Sequence, residues 1–313
     1  MVADDAVASM IHIHNGDVVA SLASRSGIPG EHVAFRESLV TGAVVPGEEW
    51  IESRAHALAM RYSEDLLRTR TALVEQEQLL DDASSRGEIV LWFEHDLFCL
   101  VHLLYLLQRF PADARVSVVW CPKPLSENDD RGLHLLFESR AAVTPSMASV
   151  AREVWQAYTS SDPSALNGWL ERDTPDFPFL RQGLTLHASR FPSIQHGLGA
   201  LEFQTLELLS TGATDFSTLF DALNAREPRF GFGDTEVWQN LQTISWCAAP
   251  LLTLNGTPPK AMLTITPAGE NVLRGDVDNL MVNDPDFWLG GVHLTKENVW
   301  RYDGVRLSRQ PGW

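Results

Sequence analysis

Glu88-Ile89-Val90-Leu91-Trp92-Phe93-Glu94-His95-Asp96-Leu97 is the stretch on which the reading of this chain turns. Ile89 to Phe93 is an unbroken apolar run, too short for an isolated helix and suited to a strand buried on both faces of a parallel sheet. Three ionisable residues end it. Leu97 to Gln108 then continues as an apolar segment long enough for a buried helix. In open α/β sheets ligands sit at the carboxyl ends of the strands, so Glu94, His95 and Asp96 mark a candidate site.

Working outward, Met10 to His14 reads as a first strand, and Asn15-Gly16-Asp17 as a turn with Asp17 placed to cap a helix from Val18 to about Arg25. Val33 to Phe35 is a short second strand ending at Arg36-Glu37. Glu48 to about Ser84 is helical in pattern, with Arg61 and Asp65, and Glu64 and Arg68, spaced to pair on a solvated face. Arg115 to Trp120 is a further strand, and Pro122 to Asp130 a polar linker. This order predicts an α/β fold with a small doubly wound, mostly parallel sheet over residues 9–122. If the first strand lies centrally, Asn15 and Asp17 fall beside Glu94 and Asp96.

Residues 129–193 read as a helical connector, with Thr144 and Asp162 as caps ahead of Pro145 and Pro163. Residues 194–313 change pattern. Three helices begin near Leu198, after Asp215 and after Asp234, and two strands, Leu251 to Leu254 and Met262 to Thr266, follow. Three helices and a hairpin predict a winged-helix-like α+β domain. The third helix would turn Glu236, Gln239, Asn240 and Gln242 outward, and the hairpin adds only Lys260. A DNA reader needs several cations against phosphate, so this surface argues against DNA and for packing or protein contact. Trp288, Trp300 and Trp313 would serve a partner surface or only a core, and a protein partner or a homo-oligomer is open for the chain as a whole.

Composition sets bounds. The chain has 313 residues and a formal net charge of -17, enough length for two or three packed units and a balance that disfavours nucleic acid and anionic lipid. Its three cysteines, Cys99, Cys121 and Cys247, are scattered, which reads as free thiols in a reducing compartment and not as a structural zinc site. Met1 to Val7 lacks a basic segment followed by an apolar one, and Leu97 to Leu107 is too short to span a bilayer. The expectation is a cytoplasmic protein with no membrane role.

A carboxylate at a buried strand end is partly desolvated, which raises its pKa and suits it to general acid or base work. Glu94, Asp96 and His95 are therefore the candidate catalytic residues. Asn15, Asp17 and Arg36 are candidates for holding a small, polar, nucleotide-like or phosphorylated ligand. Asp17, Glu94 and Asp96 would also suit a hard cation such as magnesium. Arg36 either grips an anionic group or neutralises Glu94, and Asp17 and Asp96 would serve equally as helix caps. His12 and His14 share one strand face, as two ligands of one metal would, but the further ligands of metal-dependent amidohydrolases are missing, and half-buried strand histidines are the better reading. Neither a phosphate-binding glycine loop nor a serine elbow is present. Enzyme, regulatory adaptor and structural interaction module all remain open on the sequence.

Ile11-His12-Ile13-His14-Asn15-Gly16-Asp17, Phe35-Arg36-Glu37-Ser38-Leu39 and Leu91-Trp92-Phe93-Glu94-His95-Asp96-Leu97 together resemble the bacterial family called domain of unknown function 1835. Pro178-Phe179-Leu180, Gly233-Asp234, Leu263-Thr264 with Gly269, and Trp288-Leu289-Gly290-Gly291-Val292 extend the resemblance over most of the chain. It implies a two-part architecture with the α/β part first, and no established activity. His14 departs from the apolar residue expected before Asn-Gly-Asp.

Overall fold

A computed structural model describes residues 10–212 and 214–310; Met1 to Val7 and Trp313 lie outside them. The chain divides into two units, one of residues 1–159 and 174–180, the other of residues 160–173 and 181–313. The helices expected as a connector over 129–193 are thus shared between the two units.

The first unit is mixed α/β, as the order of apolar runs requires. Its sheet runs β2 (Glu31–Ala34), β1 (Met10–His14), β3 (Glu88–Glu94), β4 (Val116–Cys121) and β5 (Ala141–Ala142), with the first four parallel and β5 antiparallel at the edge. Strand β1 is central, and the register sets His14 beside Trp92 of β3. The chain reverses its direction of winding between β1 and β3, the kind of place where open sheets leave a crevice.

Helices α1 (Asp17–Arg25), α2 (Trp50–Tyr62), α3 (Leu66–Ala83), α4 (Leu97–Arg109), α5 (Asp130–Glu138) and α6 (Pro145–Tyr158) cover the sheet and one another. Residues 48–84 form two helices, not one. Ser63 takes a left-handed conformation (φ 54°), and Asp65 caps α3 by accepting from the Arg68 N–H. The break falls inside both expected charge pairs, so neither pair lies on one continuous helix. Arg54 of α2, which a solvated helix would expose, is fully buried against Glu37. The supposed linker holds the buried Leu125, and the two-residue β5 carried no sequence signal.

α4 is buried on all sides, from Leu97 through Leu107 with Phe98 alone half-buried, and packs on β3 and α6. On the opposite sheet face, His12, His14 and His32 stack beside Trp92, His12 and His32 with ring centroids 4.2 Å apart. Trp92 Nε1–H donates to His12 Nδ1 at 3.0 Å, so His12 carries its proton on Nε2 and gives it to the Pro29 carbonyl. His32 Nε2 donates to the Ile28 carbonyl, so His32 Nδ1 accepts from His14 Nε2 and His14 Nδ1 is buried without a partner. Both His12 nitrogens are occupied, which leaves His12 no lone pair for a metal; His12 and His14 are strand histidines, fully buried and not half-buried.

In the second unit, α7 (Asn167–Glu171), α8 (Leu180–Ser189), α9 (Ala200–Ser210), α10 (Phe216–Arg226) and α11 (Asp234–Ser245) precede a hairpin of β6 (Leu252–Asn255) and β7 (Met262–Ile265), then α12 (Pro267–Leu273). Asp215 caps α10 as expected, whereas Asp234 is the first residue of α11, whose cap is Gly233. Two further hairpins, β8 (Phe287–Leu289) with β9 (Val292–Leu294) and β10 (Trp300–Tyr302) with β11 (Leu307–Arg309), were not expected. Their strands are only three residues long, too few for an alternating pattern to stand out. Among the described residues no helix is long and apolar enough to cross a membrane.

Candidate functional site

The central position of β1 carries Asn15 to the start of α4. Its Nδ2 donates to Cys99 Sγ at 3.0 Å, and its Oδ1 accepts from His102 Nδ1 at 2.8 Å. His102 Nε2 in turn accepts the Leu39 N–H at 3.3 Å, so the proton on Nδ1 and the orientation of the amide are both set. Burial pushes His102 down to about 3, and it stays neutral. The ends of β1 and β3 therefore meet through α4, as the sequence predicts for Asn15.

Asp96 caps α4, its Oδ1 accepting the Cys99 N–H at 2.7 Å. The capping bond favours its charged form, but burial outweighs it and, with the Glu94 charge nearby, raises the carboxyl to about 7. Glu94 is half-buried, and its Oε1 accepts the Leu125 N–H at 2.8 Å. Burial raises Glu94 too, against that bond. One oxygen from each carboxyl and the Cys99 sulfur lie within 4.8 Å of one another. Burial and the two neighbouring acids hold the Cys99 thiol well above its ordinary value, so it is protonated.

Asp17 and Arg36 form a pair of their own. Arg36 Nε donates to both Asp17 oxygens, at 3.2 and 2.9 Å, and its terminal nitrogen to Oδ1. Asp17 makes no capping bond, because Gly16 occupies the cap position with φ 98°. Both side chains are about two-thirds exposed, and the pairing lowers the Asp17 carboxyl. Arg36 thus neutralises Asp17 and not Glu94, and Asp17 stands outside the carboxyl–thiol group. The oxygen set expected for magnesium, Asp17 with Glu94 and Asp96, is not what the fold gathers. The group that does assemble includes a thiol, a donor that suits softer ions.

His95 turns away to aromatic neighbours, stacked on Phe179 at 5.5 Å and edge-on to Trp120 at 4.9 Å. Its Nε2 is buried without a partner, and burial lowers its pKa. Sequence reasoning passed over Cys99, although its place three residues after a capping Asp is itself a signal for the first turn of a helix.

A direct test of the Asn15 bridge is Asn15→Leu. With the amide gone, His102 Nδ1–H is buried without an acceptor, and the first unit should lose about 1–3 kcal/mol in chemical denaturation. A loss below a few tenths would mean the bridge holds nothing together.

Comparison of the chain with protein-family models and with curated proteins finds no match.

Proposed function

We propose that the first unit binds a small polar ligand, nucleotide-like or phosphorylated, outside the carboxyl ends of β1 and β3, with Glu94 and Asp96 as the working pair. The observation that carries this reading is a carboxyl raised to about 7 beside a second, more accessible one, at a reversal of winding in an open sheet. Such a pair can give or take a proton at neutral pH, Glu94 facing the ligand and Asp96 setting its charge state. Asn15 orients the adjoining α4, and the Asp17–Arg36 pair lies at the neighbouring strand end, where an anionic ligand group could replace the Asp17 carboxylate. Glu94, Asp96 and Cys99 are the residues that would hold a divalent ion.

The test is a thermal-shift screen of nucleotides, phosphorylated metabolites and divalent metals, repeated on Glu94→Gln and Asp96→Asn. Asparagine keeps the helix cap, so Asp96→Asn should fold. The expected result is a ligand whose stabilisation is lost in both variants and whose wild-type binding changes across pH 7. Identical responses in wild type and both variants would remove the assignment.

We read the first unit as Rossmann-like, the chain as a relative of the domain of unknown function 1835 family, and its location as cytoplasmic. The second unit we read as winged-helix-like. The first turn of α11 carries Asp234 and Glu236, and Trp246 at its end is 76% exposed. These features support contact with a protein or a second copy of the chain over contact with DNA.

A further inference from the structure

We propose that a cleft at the carboxyl end of β2 binds a small organic cation with an apolar body, at a site separate from the Glu94–Asp96 pair. The cleft is bounded by the segment after β2 and by the hairpin of α2 and α3, and has a volume of about 580 Å³. That is the size of pocket that takes small molecules. Its floor is apolar, built from Ile13 and Val33 of the sheet and Leu58, Leu73 and Leu80 of the two helices. A hydrated inorganic ion would leave such a floor unfilled.

Charge decides the class of ligand. Four charged side chains line the cleft: Arg36, Glu37, Glu64 and Glu75. Two of them are already committed to partners outside it. Arg36 is held by Asp17, and Glu37 by the buried Arg54. Glu64 and Glu75 form no ion pair among the described residues, and Glu64 only accepts a hydrogen bond from Thr69 Oγ1 at 3.2 Å. The rim therefore carries two uncompensated carboxylates over an apolar floor. An anion would be repelled by both, and to reach Arg36 it would have to displace the Asp17 carboxylate, whereas a cation has nothing to displace. A cation is attracted by both, and the ring of Tyr62, which also lines the cleft, adds an aromatic surface that favours positive charge. The net charge of -17 on the whole chain acts in the same direction.

The experiment is calorimetric titration of the full chain with 4-phenylbutylamine, with 4-phenylbutyrate as an anion of the same body. The amine should bind and the carboxylate should not. Glu64→Gln with Glu75→Gln should weaken the amine about tenfold. Ala72→Trp, which fills the cleft from α3, should abolish binding without touching either carboxylate. Glu94→Gln should leave the amine affinity unchanged, which separates this site from the one at the ends of β1 and β3. Equal binding of the butyrate, full affinity in the double variant, or loss of binding in Glu94→Gln would each overturn the proposal.

Discussion

Arg54→Met should destabilise the first unit by about 3–5 kcal/mol, the range for a buried ion pair deprived of one partner. Arg54 is fully buried and Glu37 nearly so. The guanidinium does more than balance Glu37. It donates to the carbonyls of Thr41 at 2.9 Å, Ala43 at 2.8 Å and Ser38 at 3.0 Å, and so folds residues 37–43 around itself. Removing it leaves a buried carboxylate uncompensated and the Thr41 and Ala43 carbonyls without this donor, while Ser38 keeps the Thr41 N–H and hydroxyl. The same segment presents Leu39, whose N–H bonds to His102 and whose carbonyl accepts from Tyr158 at 2.8 Å. The damage should therefore reach the Asn15 bridge. Replacing both partners, Arg54→Met with Glu37→Leu, should recover part of the loss, because no charge is then stranded. Denaturant titration of the two single variants and the double checks this. A loss under about 1 kcal/mol for Arg54→Met, or a double variant no better than the single, would refute it.

The second large effect is acid instability between pH 6.5 and 4.5. In the first unit burial lowers His12 to about 4, His14 to about 2 and His102 to about 3. Their ordinary value is 6.5. Below it the unfolded chain takes up protons that the folded chain refuses, so stability is complete above pH 6.5 and falls as pH drops towards the folded values. At 1.36 kcal/mol per unit, each histidine costs roughly 2–3 kcal/mol by pH 4.5. The groups around His12 do not cancel this, since Glu88 raises it and Arg140 lowers it. Asp96 acts the other way. Its folded value is raised to about 7 from 3.8, so folded protein holds the extra proton between those limits and gains roughly 3 kcal/mol on acidification. Glu94, raised by burial, adds to the side of Asp96, and His32 and His95, lowered by burial, to the side of the histidines. The three deeply buried histidines outweigh Asp96, and the net loss of several kcal/mol is comparable to the stability of an ordinary domain. Denaturant titrations at pH 7.0, 6.0, 5.0 and 4.5 should show a falling midpoint for the first unit. The fall should be steeper in Asp96→Asn, which lacks the compensating proton. A flat midpoint over that interval would sink the account.

The parts of the fold visible in the sequence were those with a period or a run behind them. The apolar stretch at Ile89 to Phe93 and the order of strands and helices point to the parallel sheet, whereas the interior place of β1, between β2 and β3, enters the sequence reading only as a condition. The meeting of Asn15 with the start of α4 is legible under that same condition, and the companion placement of Asp17 is not met. The partner of Arg36 was not. Choosing between Asp17 and Glu94 depends on where Gly16 points the start of α1, and a single glycine with positive φ leaves no mark in a hydrophobic pattern. Arg54 was also illegible, because an arginine on an amphipathic helix ordinarily lies in water, and only its distant partner Glu37 makes burial tolerable. The carboxyl–thiol group was half legible: Glu94 and Asp96 stood out by charge, whereas Cys99 looked like one more small apolar residue.

α4 limits where the gene can be cut. Its outer surface, including Tyr105, rests on α6, where Trp155 sits 5.3 Å from the Tyr105 ring. A fragment ending at Pro122, where the polar stretch invites a boundary, would strip that cover and present a greasy rod to the solvent. Such a truncation should be recovered as insoluble material, while one extending through Tyr158 and retaining residues 174–180 keeps the unit's own wrapping.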